Sequence, residues 1–170
     1  MSNIYFIADL HLGHSNIITY ESRPFASVEE MDSILIQNWN DTVSNKEKVF
    51  ILGDFAWGNK EKVDKYVHQL NGIKTLILGN HDRGHSISWW QDMGLWEVVQ
   101  YPVIYNEWYI LSHEPIYLNQ NMPYANIFGH VHGNKNYADC SKQGFCVSVE
   151  RIGYTPIERN EIIRRMKDSD

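Results

Sequence analysis

Three runs of strand length, each largely apolar and each stopping at a polar cluster, most constrain how this chain can fold. They are IYFIA (4–8), VFIL (49–52) and KTLIL (74–78). Continuous apolar runs of this length fit strands covered on both faces. Between them lie helical patterns. Ser27 and Glu30 have capping-box spacing at the head of Val28, Met31, Ile34, Leu35 and Trp39. Val63, Val67 and Leu70 mark a second helix, ended by Asn71-Gly72. This β-α-β-α-β order predicts parallel strands joined by right-handed crossovers.

The second half reads differently. EVVQYPVIY (97–105) and WYILS (108–112) predict an antiparallel hairpin across Asn106-Glu107. NIF (126–128) and FCVSV (145–149) are further strands, and 133–144 reads as an exposed loop. Thr155, Pro156 and Glu158 predict the N-cap, first-turn proline and capping box of a last helix. With no repeat and no linker, residues 1–170 are expected to form a single α/β domain with a mixed or two-sheet core.

A chain of 170 residues can bury a core without disulfides. Lys and Arg number 15 against 21 Asp and Glu, a net charge of −6. A protein living by phosphate-backbone contacts is normally basic, so long nucleic acid is not the expected partner. Cys140 and Cys146 could close a small loop. Without a secretory signal they read better as reduced thiols, and the expected address is the cytoplasm. No run of 18 apolar residues is present to cross a membrane. Trp89 and Trp90 suggest an exposed aromatic contact, with oligomeric state left open.

The residues suited to chemistry cluster at the ends of the expected strands. Asp9 and His11 follow the first, Asp54 the second, and Asn80 and His81 the third. His113 follows 108–112, and His130 and His132 follow 126–128. Sites in open α/β sheets form at the carboxyl ends of strands. Asp9/His11 and His130/His132 are spaced i, i+2, which in extended backbone points both side chains the same way. Two carboxylates, four imidazoles and one amide oxygen suit divalent Mn, Fe, Zn, Co or Ni. They exceed one four-coordinate ion, whereas two ions sharing a bridging carboxylate would use them all. A metal pair about 3.5–4 Å apart activates a hydroxide and clamps a phosphoryl group. Singly, each residue reads as a turn or capping residue. Five of the eight His at strand ends, beside two Asp and an Asn, argue for a metal site.

Those blocks, DLH (9–11), GD (53–54), GNHD (79–82), SH (112–113) and GHVH (129–132), resemble the calcineurin-like metallophosphoesterase superfamily in kind and order. The resemblance spans about residues 4–150. DLHLGHSNII and RPF (23–25) are similar to small stand-alone enzymes of bacteria and phages. It implies a four-layer αββα sandwich of two mixed β-sheets flanked by helices, around two divalent ions, Mn favoured. Asp9, His11, Asp54 and His132 would hold the first ion. Asp54, Asn80, His113 and His130 would hold the second, with Asp54 bridging. His81 would assist the leaving group, Asp82 would orient His81, and metal-bound hydroxide would attack. GDFAWGN (53–59) departs from the family in lacking a charge after Gly-Asp. That leaves Trp57 as a core or rim tryptophan, with a stacking surface as the alternative.

Arg83 is a candidate substrate contact or a surface salt bridge, His14 a candidate contact or a residue packed on the following helix, and Arg23 a weaker candidate or a structural residue; His68 and His85 are assigned to the surface. The expected activity is hydrolysis of a phosphodiester or nucleotide-type phosphomonoester, a small phosphate ester. The rivals are a non-catalytic protein-interaction scaffold and a nuclease acting on short oligonucleotides.

Overall fold

The computed structural model describes residues 3–137, 140–141 and 143–168. In chain order, β1 (Ile4–Ile7) is followed by α1 (Asn16–Tyr20), α2 (Val28–Thr42), β2 (Lys48–Leu52), α3 (Lys60–Gln69) and β3 (Ile73–Ile77). A 3-10 turn (Asp82–Gly84), α4 (Ile87–Gln91), β4 (Glu97–Val99), β5 (Val103–Tyr105), β6 (Tyr109–Leu111) and β7 (Ala125–Phe128) come next. The chain ends with β8 (Cys140–Ser141), β9 (Gly144–Cys146), β10 (Ile157–Glu158) and α5 (Arg159–Lys167).

Two mixed five-stranded sheets result, ordered β10-β1-β2-β3-β4 and β5-β6-β7-β9-β8. The first is parallel except for β10, and the second is antiparallel only at β5–β6 and β8–β9. Strand alternation divides the core. Tyr5, Ile7, Val49, Ile51 and Leu76 face α2, α3 and α4, meeting Met31, Leu35, Trp39, Val63, Val67 and Trp90. Phe6, Ala8, Phe50, Leu52 and Ile77 face the second sheet, meeting Leu111, Ile127, Phe145 and Val147. Helix α5 adds Ile162 and Met166 to that inter-sheet core and touches β8 and β9 as well as β1 and β10. This is the expected αββα arrangement of two mixed sheets flanked by helices.

Local signals explain the helix starts. The Ser27 hydroxyl accepts the Glu30 N–H at 3.2 Å, and Asn59 accepts the Lys62 N–H at 3.0 Å. Glu30 reaches back to the Ala26 N–H, one residue beyond a strict capping box. Buried Trp39 donates Nε1–H to the Asn71 carbonyl, tying α2 to the turn before β3. Truncating it to Ala would cost about 3–5 kcal/mol.

Four expectations are corrected. EVVQYPVIY is two strands: β4 pairs with β3 and β5 with β6, and the chain changes sheets across Gln100–Pro102. Pro102 has no N–H to give a ladder. Thr155 does not cap the last helix, because Ile157–Glu158 pair with the free edge of β1 and α5 starts one residue later. Within 133–144, β8 pairs with β9, while Ala138, Asp139 and Lys142 lie outside the described residues. Trp90 is buried in the chain's own core rather than offered to a partner. Cys146 is a free, buried thiol. Among the described residues no helix is long and apolar enough to cross a membrane.

Candidate metal centre

The sheets converge because β1 continues past Ile7. The Ala8 N–H donates to Val147 O and the Val149 N–H donates to Ala8 O, so the first sheet's strand end is stitched to the second sheet. The ends of β1, β2, β3 and β7 then meet on one edge, and the loop after β6 brings in His113.

The backbone there is unusual. Asp9, His11, Asp54, His130 and His132 all adopt positive φ, at 58°, 52°, 54°, 70° and 48°. Such left-handed residues cost of order 1 kcal/mol or more each and persist where surroundings over-determine them. The i, i+2 pairs therefore converge through tight left-handed turns, not through the extended geometry expected from spacing. Two glycines make room. A Cβ on Gly79 would lie 2.2 Å from Asp54 Oδ1, and one on Gly53, whose φ is +86°, 2.2 Å from His113 Nδ1.

All seven expected ligands come together. Asp54 Oδ1 accepts the His81 N–H at 3.0 Å, while Oδ2 lies 3.5 Å from both His11 Nε2 and His113 Nε2. Asn80 Oδ1, His113 Nε2 and His130 Nδ1 are mutually 2.9–3.1 Å apart. Asp9, His11 and His132 offer donor atoms within 4.8 Å of one another. With metal–ligand bonds of about 2.0–2.2 Å, neighbouring ligand atoms on one ion lie roughly 3.0–3.5 Å apart.

Donor chemistry fits a cation. The His113 Nδ1–H donates to Leu52 O at 2.9 Å, so the neutral ring carries its lone pair on Nε2, toward Asn80 Oδ1. Rotating the Asn80 amide would also satisfy that contact, so the decisive atom is His11 Nε2. It is buried and has no hydrogen-bond partner among the described residues. Its Nδ1 faces His14 Nδ1 at 3.3 Å. The His132 Nδ1–H donates to Glu150 Oε1 at 3.1 Å, the carboxylate–histidine pairing that steadies a metal ligand.

Burial pushes the Asp9 carboxyl up to about 7, and burial pushes His11, His113 and His130 down. Desolvation also lowers His132, but the Glu150 hydrogen bond and the Asp9 and Glu150 charges outweigh it, raising the ring to about 9. Three neutral imidazoles beside carboxylates are a donor set ready for divalent cations.

The other candidates divide. The exposed His81 ring lies 5.2 Å from the His11 ring, centroid to centroid. Asp82 does not orient that imidazole. Its buried carboxylate accepts the N–H groups of Asp54, Phe55 and Gly79, clamping the two loops together. Arg83 is paired with Glu114 at 2.8 Å, the salt bridge that competes with a phosphate contact. Arg23, the weaker substrate candidate, is buried and donates to Asp9 O, Leu10 O and Glu150, so it braces the first loop. His14 sits beside His11 and stacks on Trp57 at 4.7 Å. Two partners escaped the sequence reading. Glu150 follows a strand without any spacing that marks it, and Asp32, on α2, accepts the Gly13 N–H and the Tyr66 hydroxyl.

The family model described as calcineurin-like phosphoesterase matches residues 2–166. The protein MJ1445 of Methanocaldococcus jannaschii is 33% identical over 186 aligned positions, covering 99% of this chain and 98% of that protein. The Gene 66 protein of Mycobacterium phage D29 is 41% identical over 88 residues, 50% of this chain and 43% of its own length. A solved structure, the protein of unknown function AQ665 from Aquifex aeolicus, superposes with a TM-score of 0.73. It covers 97% of this chain and 100% of that one at 23% identity, a likeness of fold alone. With the family model matched from end to end over a cluster of buried Asp and His, this chain belongs to the calcineurin-like phosphoesterase family.

Proposed function

We propose that the chain is a cytoplasmic phosphoesterase that hydrolyses a small phosphate ester, either a phosphodiester or a nucleotide-type phosphomonoester, at a pair of divalent ions, Mn favoured. The observation that carries the two-ion reading is Asp54 Oδ2, equidistant at 3.5 Å from nitrogens of two separate groups of donors. Asp9, His11, Asp54 and His132 would hold one ion; Asp54, Asn80, His113 and His130 would hold the other. When bound, such ions supply Lewis acidity to a phosphoryl oxygen and make water acidic enough to attack at neutral pH.

The chain's own residues do the rest. Asp82 and Gly79 fix the Asp54 carboxylate by holding its loop against the next. His81, pinned through its N–H to Asp54 Oδ1 but with an exposed ring, would give a proton to the departing oxygen. A free buried Cys146 suits a reducing compartment. The net charge of −6 favours small substrates over polynucleotide.

The test is hydrolysis of chromogenic phosphodiesters and phosphomonoesters by demetallated protein and by protein refilled with Mn, Fe, Zn, Co or Ni. Metal content is measured in parallel. Activity only on refilling, with two ions per chain, is expected. Full turnover without metal would overturn the reading, and ion binding without turnover on any ester would favour a scaffold.

A further inference from the structure

We propose that Trp57 and Tyr20, with His14 between them, form a stacking platform that selects phosphate esters carrying a planar aromatic group. This rests on the phosphoesterase reading and adds the chemistry of the substrate's organic part.

A chain of aromatic rings leads outward from the metal centre. The His11 and His14 centroids are 5.4 Å apart, and the His14 and Trp57 rings are stacked at 4.7 Å with 17° between their planes. Tyr20 meets His14 edge-on at 6.4 Å, and Trp57 meets His81 edge-on at 5.9 Å. The platform thus borders both a ligand histidine and the histidine placed to donate a proton.

Its outer members are open. Trp57 is 49% exposed and Tyr20 69% exposed, although each is large and apolar enough to favour burial. They are the exposed large hydrophobics that share ring contacts with the histidine cluster.

The platform is also held rigidly. The loops after β1 and β2 continue as a short parallel ladder: the His11 N–H donates to Asp54 O, the Leu12 N–H to Phe55 O, and the Trp57 N–H to Leu12 O at 2.7 Å. The same backbone that aims the ligands therefore fixes Trp57. No charged side chain stands among residues 55–58, so Trp57 itself offers shape and π-character, while the Lys62 side chain lies against Gly13 and Gly58 beside it. A nucleobase or aryl ring on the ester matches that surface. Stacking on aromatic side chains serves any base, because each has a π-face.

The test compares two probes with the same phosphate, AMP and ribose 5-phosphate, binding to Mn-loaded protein by calorimetry. AMP is expected to bind more tightly. In Trp57→Ala the ratio of the two affinities should fall about tenfold, a base-stacking loss, and Trp57→Phe should recover much of it. Metal content of each variant is measured so that collapse of His11 is seen separately, and Tyr20→Ala, which sits farther from the metals, should lower the same ratio less. Equal affinities in the parent, or a ratio unmoved by Trp57→Ala and Tyr20→Ala, would overturn the platform alone. Failure of both probes to bind the metal-loaded chain would overturn the phosphomonoester reading and the platform with it, whereas the phosphodiester reading stands or falls on the hydrolysis test.

Discussion

The buried carboxylate of Asp82 accepts the backbone N–H of Asp54 at 2.7 Å, so one acidic residue holds another in place through the main chain. The same carboxylate takes the N–H groups of Phe55 and Gly79. Burial pushes Asp82 up to about 6 despite these three donors, with the nearby Asp54 charge adding to the rise. Asp82→Ala would strand three buried donors, each costing about 1–3 kcal/mol, and should destabilise the fold by about 3 kcal/mol or more. Urea unfolding measures that loss, and a parallel drop in bound metal would mark the displacement of Asp54. Unchanged stability would contradict the clamp.

Asp54→Asn leaves the loops clamped but gives the shared position a neutral amide. Both ions should bind more weakly, and the metal-loaded protein should melt at a lower temperature, because ligands of the folded state stabilise it by mass action. A metal titration followed by thermal unfolding reads both effects. Loss of one ion with the other held at parental affinity would remove Asp54 from the bridging position.

His81→Ala tests the proton donor. The His81 ring has no hydrogen bond to any ligand, and only its main chain touches Asp54, so two ions should remain bound. Turnover should fall by about 10²–10⁴, the usual worth of a positioned acid. The loss should be greatest for esters with poor leaving groups. A variant that loses its metals along with its imidazole would make His81 a ligand.

Much of this was legible in the chain. Each ligand stands directly after an apolar run, and strand ends are where parallel sheets collect their sites. What could not be read depends on contacts distant in sequence. Arg23 reads as a weaker substrate candidate or a structural residue, and only contacts distant in sequence, the Asp9 carbonyl 14 residues before it and Glu150 127 residues after it, show the structural role. β10 carries a helix-start signature, but the unpaired edge of β1 outweighed it. The left-handed turns at Asp9, His11, His130 and His132 are equally invisible, because the convergence of both sheets on the site, not local propensity, imposes them.

The His132–Glu150 pair predicts how metal binding follows pH. With the metal-free ring raised to about 9 and Asp9 raised to about 7, an ion entering between them must displace two protons below pH 7. Between about 7 and 9 it displaces one, from His132, and above 9 neither. The apparent affinity should therefore climb steeply up to neutrality, more gently to about 9, and then level off. In the metal-free fold the same pair works oppositely. The raised folded value means its stabilisation is fully present below about 6.5 and is lost as pH rises through about 9. Glu150→Gln removes the negative acceptor, so the His132 ring should fall back toward its ordinary value and the one-proton segment should shrink from its upper end. Calorimetry of Mn binding at pH 8 in two buffers of different ionisation enthalpy counts the protons released. About one is expected for the parent and clearly fewer for Glu150→Gln; equal counts in both proteins would mean that Glu150 does not govern the ligand's proton.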